Sequence, residues 1–436
     1  MKSTDPRRER ADPSSPPRAR RRFLANGLGL AGAAAALTPI AGRAATPLGA
    51  VDRPVPADAS KVPGVPMDDE SYGARSQFET EVRQRYKTAT NLSSWTFTPL
   101  QESMGIVTPS GLFFERSHAG TAVIDPRRHT LFVHGLVARP RKYSMRDVRR
   151  FPSISRLIFL ECSGNGLTEW SKPTLPTVQG THGLTSCAEW TGVPLATILG
   201  EVGVRGNAKW LLAEGGDGAA MTRSIPIEKA MKDCILAYGQ NGEALRPEQG
   251  YPLRLLVPGY EGNMNIKWLR RLEVSDAPFM TREETSKYTD IRPDGKAVQF
   301  SFEMEAKSVI TSPSGGMQLD TPGFHEITGL AWSGRGTIRR VDVSVDGGGT
   351  WREAALQQPV LPICHTRFRM PWQWDGKGTA VLQSRAVDDT GYVQPTLGQV
   401  IAMRGLNGPI GSIYHLNAIQ SWQVASDGKV SNVHHY

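Results

Sequence analysis

In the stretch "GTIRRVDVSVDGGGTWREAAL", residues 336–356, Val341, Val343 and Val345 alternate with Asp342, Ser344 and Asp346 before three consecutive glycines. A period of two sends one face of a strand into a core and the other outward, and the glycines allow a tight return, so the stretch predicts a hairpin. A second strand pair is expected around "VLQSRAVDDTGYVQP". Short alternating strands repeated over about 110 residues argue for an immunoglobulin-like sandwich. This pattern fixes the architecture of residues 297–414. It leaves 415–436 as a polar tail in which His434 and His435 read as solvated.

The pattern differs upstream. Between Trp95 and about Pro293, apolar segments such as "HTLFVHGLV", "RLIFLEC", "KWLLAEG", "CILAYGQ" and "PLRLLVPG" alternate with helices expected at "VPLATILGEVG" and "IPIEKAMKD". That is an α+β pattern for residues 95–296. A chain of 436 residues is too long for one ordinary core, which agrees with two modules. Residues 45–94 are Pro-rich and polar and read as an extended arm with one helix from Ser76 to Lys87.

The formal charge of +9 misleads about partners. Residues 1–44 hold nine Lys or Arg against three acids, so the remainder carries only +3. So small an excess gives no support to nucleic-acid binding, which needs a dense basic face. The basic stretch has its own meaning. "RRRFLANGLGLAGAAAALTPIAGRAA" sets Arg20 and Arg21 before Phe23 and Leu24 and a weakly apolar run, which reads as a twin-arginine export signal cleaved near Ala44 and predicts a periplasmic protein. Pro39 and the weak transfer energy of alanine and glycine argue against a membrane anchor. The "GLGLAG" within it matches G-x-G-x-x-G, but no strand precedes it, so it is no nucleotide site.

Cys162, Cys187, Cys234 and Cys364 lie far apart, with no C-x-x-C, C-x-x-C-H or metal-finger spacing. Covalent haem, iron–sulfur clusters and structural zinc therefore lack their signatures, and no haem is expected in this chain. There is no H-E-x-x-H, phosphate loop or G-x-S-x-G elbow either, which leaves common hydrolase and nucleotide chemistry without a foothold. Cys162 stands out by position. In "RLIFLECSGNG" it follows a buried-strand pattern and precedes a glycine turn, so its thiol faces a loop. The residues alone leave it either a packed small hydrophobe or a site group.

Five stretches settle that choice: "GLFFERSHAG", "RLIFLECSGNG", "TSCAEWTGVPL", "ILAYGQNGEAL" and "GYPLRLLVPGYEGNMNIKWL". In this order the chain resembles the sulfite oxidase family of molybdenum enzymes from about Gly111 to Asn407. Its C-terminal part is most similar to the branch of molybdoprotein subunits of sulfane dehydrogenases. The resemblance implies a molybdopterin-binding catalytic domain followed by an immunoglobulin-like dimerisation domain, with Cys162 as the protein's thiolate bond to molybdenum. A soft thiolate suits such a metal. In "FFERSH", Arg116 would face substrate and cofactor, with Phe114 and His118 beside the pterin. Tyr238 and Arg404 would be the remaining catalytic residues, and Asp217, Gln249, Arg254, Asn265, Ile266 and Lys267 would hold the cofactor.

The implied reaction oxidises sulfur on a carrier protein and passes electrons to a c-type cytochrome subunit, in a homodimer joined through the sandwich. A sulfite dehydrogenase acting on the free ion is the alternative, and a non-catalytic exported scaffold is a third reading opposed by the retained Cys162, Arg116, Tyr238 and Arg404. Sulfite-oxidising relatives carry an arginine where this chain has Leu167 and a tryptophan near Gly180. Those departures predict a wider, less cationic pocket suited to carrier-bound sulfur.

Overall fold

The computed structural model describes residues 75–86, 88–286, 288–405 and 415–435. The export signal at 1–44 and most of the arm lie outside the described residues. Where the arm is described, no helix forms. Its short strand Gln84–Tyr86 instead pairs antiparallel with Ser94–Phe97, which in turn pairs with Glu115–Ser117. A single short helix would bury little here, whereas the strand sets the Tyr86 ring 5.2 Å from Phe97.

Two sheets build the catalytic module. One carries Ile154–Glu161, Thr185–Pro194 and Ile235–Gln240 in that spatial order, with Glu243–Ala244 and Arg254–Leu256 paired to Ile235–Gln240. The other runs Arg141–Ser144, Thr130–Gly135, Leu269–Ser275, Trp210–Gly215 and Thr222–Pro226. Only Thr130–Gly135 and Leu269–Ser275 in this sheet are parallel. Both expected helices form. Leu195–Val202 buries Leu195, Ile198, Leu199 and Val202, the spacing of one helical face, and stops at Gly203 with φ 71°. Ile227–Lys232 packs beside it on the core of Leu131, Leu211, Ile225 and Leu272.

The sandwich forms as a sheet of Lys307–Ser312, Gly323–Trp332, Thr366–Trp374 and Ala355–Leu356 facing one of Arg352–Glu353, Ile338–Ser344, Ala380–Asp388, Ser421–Val424 and Val430–Val433. The glycine hairpin is present, with Val343 opposite Arg352. Asp342, expected outside, is buried because Arg340 and Arg385 pair with it at 3.0 and 3.1 Å. The second pair differs from expectation. Ala380–Asp388 returns only as a single bridge, Val387 to Val393, and its ladders run to Ile338–Ser344 and Ser421–Val424.

The expectation of a separate tail from 415 is also corrected. Residues 421–433 supply two strands of the sandwich, with Trp422 fully buried and its Nε1 donating to the Ile310 carbonyl at 3.0 Å. The burial of that indole explains why a polar stretch folds in. His434 is half-buried, 3.9 Å from Glu169, while His435 is exposed. The sandwich core does not stop at the module boundary. Phe159, Val178, Cys187 and Leu100 of the catalytic module share one cluster with Trp332, Phe368 and Trp422.

Candidate active site

The strand Ile154–Glu161 becomes fully buried over its last four residues and then turns through Cys162. Two backbone bonds hold the turn: Cys162 N donates to Leu184 O at 2.9 Å and Asn165 N to Cys162 O at 2.9 Å. A Cβ on Gly262 would stand 2.6 Å from Glu161 O and 3.0 Å from Cys162 Cα, so only glycine lets that second loop close over the cysteine. The half-buried thiol opens onto a cleft. Burial pushes it above its usual pKa, while the Gly164 N–H and the Arg116 guanidinium pull it down.

Phe114, Arg116, His118, Asp217, Gln249, Arg254, Asn265, Ile266 and Lys267 all line the same cleft. Arg116 lies over the Trp95 ring at 5.0 Å and reaches Ser94 O at 3.3 Å. His118 Nδ1 is 3.1 Å from that guanidinium, and burial together with the Arg116 charge pushes the imidazole down to about 4. Gln249 Nε2 donates to Phe114 O at 2.9 Å, tying two lining segments together.

Arg254 is buried over the Trp190 ring, with Nη1 on Gln249 O at 3.0 Å and Nη2 on Asn265 O at 3.2 Å. Its Nε has no partner, and burial pushes the guanidinium down to about 9. Lys267 donates to Arg116 O, Ser117 Oγ and Glu248 O at 2.8–3.0 Å, and burial pushes it down to about 8. Asn265 has a different task from a ligand contact: its Oδ1 accepts from Val257 N at 2.7 Å and its Nδ2 donates to Glu261 O.

Tyr238 and Arg404 stand outside the cleft. Tyr238 is the unpaired residue of a bulge between Ala237 and Gly239, and its ring packs on the core beneath Arg149 at 5.6 Å. Arg404 ends the helix Leu397–Arg404, where its guanidinium binds Glu305 and the His415 carbonyl. The tyrosine that does line the cleft is Tyr288, with Arg223 over its ring at 5.0 Å. Burial, reinforced by the nearby Cys162 sulfur, pushes this phenol above its usual value. Sequence reasoning missed it because "REETSKYTD" has no apolar period.

Leu167 and Gly180 do not widen the cleft. Leu167 packs against Trp170, Leu397, Val400, Leu416 and Ala418. Gly180 is buried within Val178–His182, and a Cβ there would already meet Leu175 at 3.3 Å.

The lining fits a molybdopterin. Arg254 is held by neutral oxygens and leaves its Nε unpartnered, while Lys267 has Glu115 at 3.8 Å, so the pair brings to the cleft a positive charge that a pyrophosphate would complement. Among the described residues no group of three or more His, Cys, Asp or Glu could hold a bare metal ion, so a metal at Cys162 would take its other ligands from a bound group.

Comparison with known proteins agrees. Residues 118–283 match the oxidoreductase molybdopterin binding domain, and residues 298–422 the Mo-co oxidoreductase dimerisation domain. The chain is 33% identical to mitochondrial sulfite oxidase of Mus musculus over 330 residues, 69% of this chain and 60% of that protein. It is 32% identical to sulfite oxidase of Gallus gallus over 335 residues, 71% of this chain and 72% of that protein. It thus spans about 60% of the length of the mouse relative. The crystal structure of the sulfane dehydrogenase SoxCD from Paracoccus pantotrophus superposes with a TM-score of 0.83 at 46% identity, covering 86% of this chain and 96% of that one. The glycine-closed cysteine loop, the buried cations around it and these matches together place the chain in the sulfite oxidase family of molybdopterin oxidoreductases.

Proposed function

We propose that this chain is the molybdenum-binding subunit of a sulfane dehydrogenase, oxidising sulfane sulfur held on a carrier protein to the sulfonate level. The observation that carries the reading is the 46% identity to the SoxCD chain over 96% of its length. When bound, the molybdenum group supplies the two-electron acceptor and the oxygen-transfer centre.

The protein's residues bind and orient. Cys162 holds the metal through its thiolate, and the Arg116 guanidinium, braced on Trp95, orients the anionic sulfur group. The Tyr288 hydroxyl takes the catalytic role first expected of Tyr238, as a hydrogen-bond donor from the cleft wall. Arg254 and Lys267 hold the cofactor's phosphates, while Gln249 and Asn265 keep the two cradle loops in place. Arg404, held by Glu305 outside the cleft, has no part in this reading.

Electrons leave to a c-type cytochrome subunit, since the sequence has no C-x-x-C-H. The match of residues 298–422 to a dimerisation domain supports a homodimer. The paired arginines at 20–21 support export of the folded chain to the periplasm. Among the described residues no helix is long and apolar enough to cross a membrane.

Oxidation of free sulfite is the second reading, favoured by the 33% identity to sulfite oxidase. Assay of the purified complex with sulfite and with persulfide-loaded carrier separates them. Turnover of loaded carrier with weak sulfite oxidation is expected, and efficient sulfite oxidation with no carrier turnover overturns the proposal.

A further inference from the structure

One residue before Cys162, the seam between the modules holds a buried charge pair. Glu161 and Lys307 have side chains 0% and 1% exposed, and Lys307 Nζ donates to Glu161 Oε1 at 3.0 Å. The same Oε1 accepts from Asn165 Nδ2 at 2.9 Å, and Oε2 accepts from Trp332 Nε1 at 2.6 Å. Lys307 Nζ also donates to Asn165 O at 3.0 Å. Lys307 and Trp332 belong to the sandwich; Glu161 and Asn165 flank the cysteine.

The network encloses Cys162. Asn165 Oδ1 accepts from Leu184 N at 3.1 Å, and Leu184 O accepts from Cys162 N at 2.9 Å. Lys307, Glu161, Asn165 and Leu184 thus link into bonds that surround the cysteine backbone. Gly166 turns the loop at φ 90°, a conformation that side-chain-bearing residues rarely adopt, next to the ammonium.

Stability alone does not explain such a pair. Apolar residues of similar volume often fill a buried site as well or better, because two charges must be stripped of water. What an ion pair adds is direction: its bonds fix the loop in one position, and groups that hold a metal ligand tune the metal. We propose that Lys307, together with Trp332, is a positioning residue for Cys162, so that the sandwich module sets the orientation in which the thiolate meets the metal. This rests on Cys162 being the protein's ligand to molybdenum, as proposed above.

The test uses the purified holoprotein of Glu161→Gln/Lys307→Met, which removes both charges and strands neither, and of Trp332→Phe, which removes one donor and keeps an aromatic ring. The readouts are molybdenum-to-protein ratio, the Mo(V) electron paramagnetic resonance spectrum, kcat and KM, and the alkylation rate of Cys162 in cofactor-free protein. The expected result for the double variant is native circular dichroism, shifted g-values, an altered alkylation rate, and kcat lowered about ten- to a hundredfold at similar KM. Trp332→Phe should move the spectrum the same way by less. Wild-type spectra, alkylation and kcat in both variants overturn the proposal. If the double variant fails to fold, Trp332→Phe decides it alone. A wild-type Mo(V) spectrum in Cys162→Ser overturns instead the ligand assignment beneath it.

Discussion

The cleft and the module seam both bury charge, and they do so in opposite ways. At the seam, Glu161 and Lys307 satisfy one another and their neighbours within the protein. In the cleft, Arg254 keeps an unpartnered Nε and is depressed by burial, while Lys267 beside it has Glu115 only at 3.8 Å. A matched buried charge holds a shape, whereas an unmatched one marks where a ligand is to arrive.

The sharpest break with that contrast comes at Cys162, whose thiol belongs to the cleft but whose backbone belongs to the seam. Cys162→Ser should abolish turnover while leaving thermal unfolding nearly unchanged, because serine fits the turn and supplies a harder oxygen ligand. Turnover assays beside melting curves check this.

Lys307→Met alone should cost ~3–5 kcal/mol of stability, with or without cofactor, by stranding the Glu161 carboxylate in the seam. Urea unfolding of both forms measures it. A loss confined to loaded protein would make the seam a ligand site after all.

The seam also predicts a pH dependence. His365, buried against Thr185 Oγ1 at 2.9 Å, is pushed down to about 3, and buried His182 and His415 are pushed well below the usual value. Each stays neutral when folded and takes up a proton when unfolded below about 6.5. Stability from these groups is therefore full above that pH and falls as pH drops toward the folded values. At pH 5 the loss should reach about 2 kcal/mol for His365. The gap between urea midpoints at pH 5 and 7 should narrow in His365→Asn without closing, since His182 and His415 still contribute.

In the cleft, Arg254→Lys keeps a cation but loses the planar fork. Retention of the pterin should weaken about ten- to a hundredfold, with a smaller change in cofactor-free stability. Pterin released on dilution measures the first and urea unfolding the second. The smallest effect distinguishes the two tyrosines: Tyr288→Phe should lower kcat about tenfold by removing one hydrogen bond to the reacting centre, and Tyr238→Phe should leave kcat within about twofold.

The cradle was legible because its residues lie in short contiguous motifs: "FFERSH" supplies one wall, and "NIKWL" with Arg254 the other. The strand before Cys162 and the helix Leu195–Val202 were legible for a similar reason, since local period and turn residues agree there. Tyr288 was not, because its place in the cleft comes from the tertiary path of a polar stretch. Tyr238 misled because a bulge, invisible in composition, displaces it from the ladder. The strands at 421–433 were hidden behind polar residues whose one deep anchor, Trp422, finds its partner over a hundred residues away.

The shared core cluster gives the boundary near residue 297 an unusual character. Phe159 and Cys187 pack with Trp332 and Phe368 rather than within a core of their own module. Cutting the chain there would leave the catalytic module its core around Leu131 and Leu272 but split the shared cluster, laying bare apolar surface on both halves. Neither half is a portable part. Recombination that exchanged one module between relatives would have to carry the facing layer of the other with it.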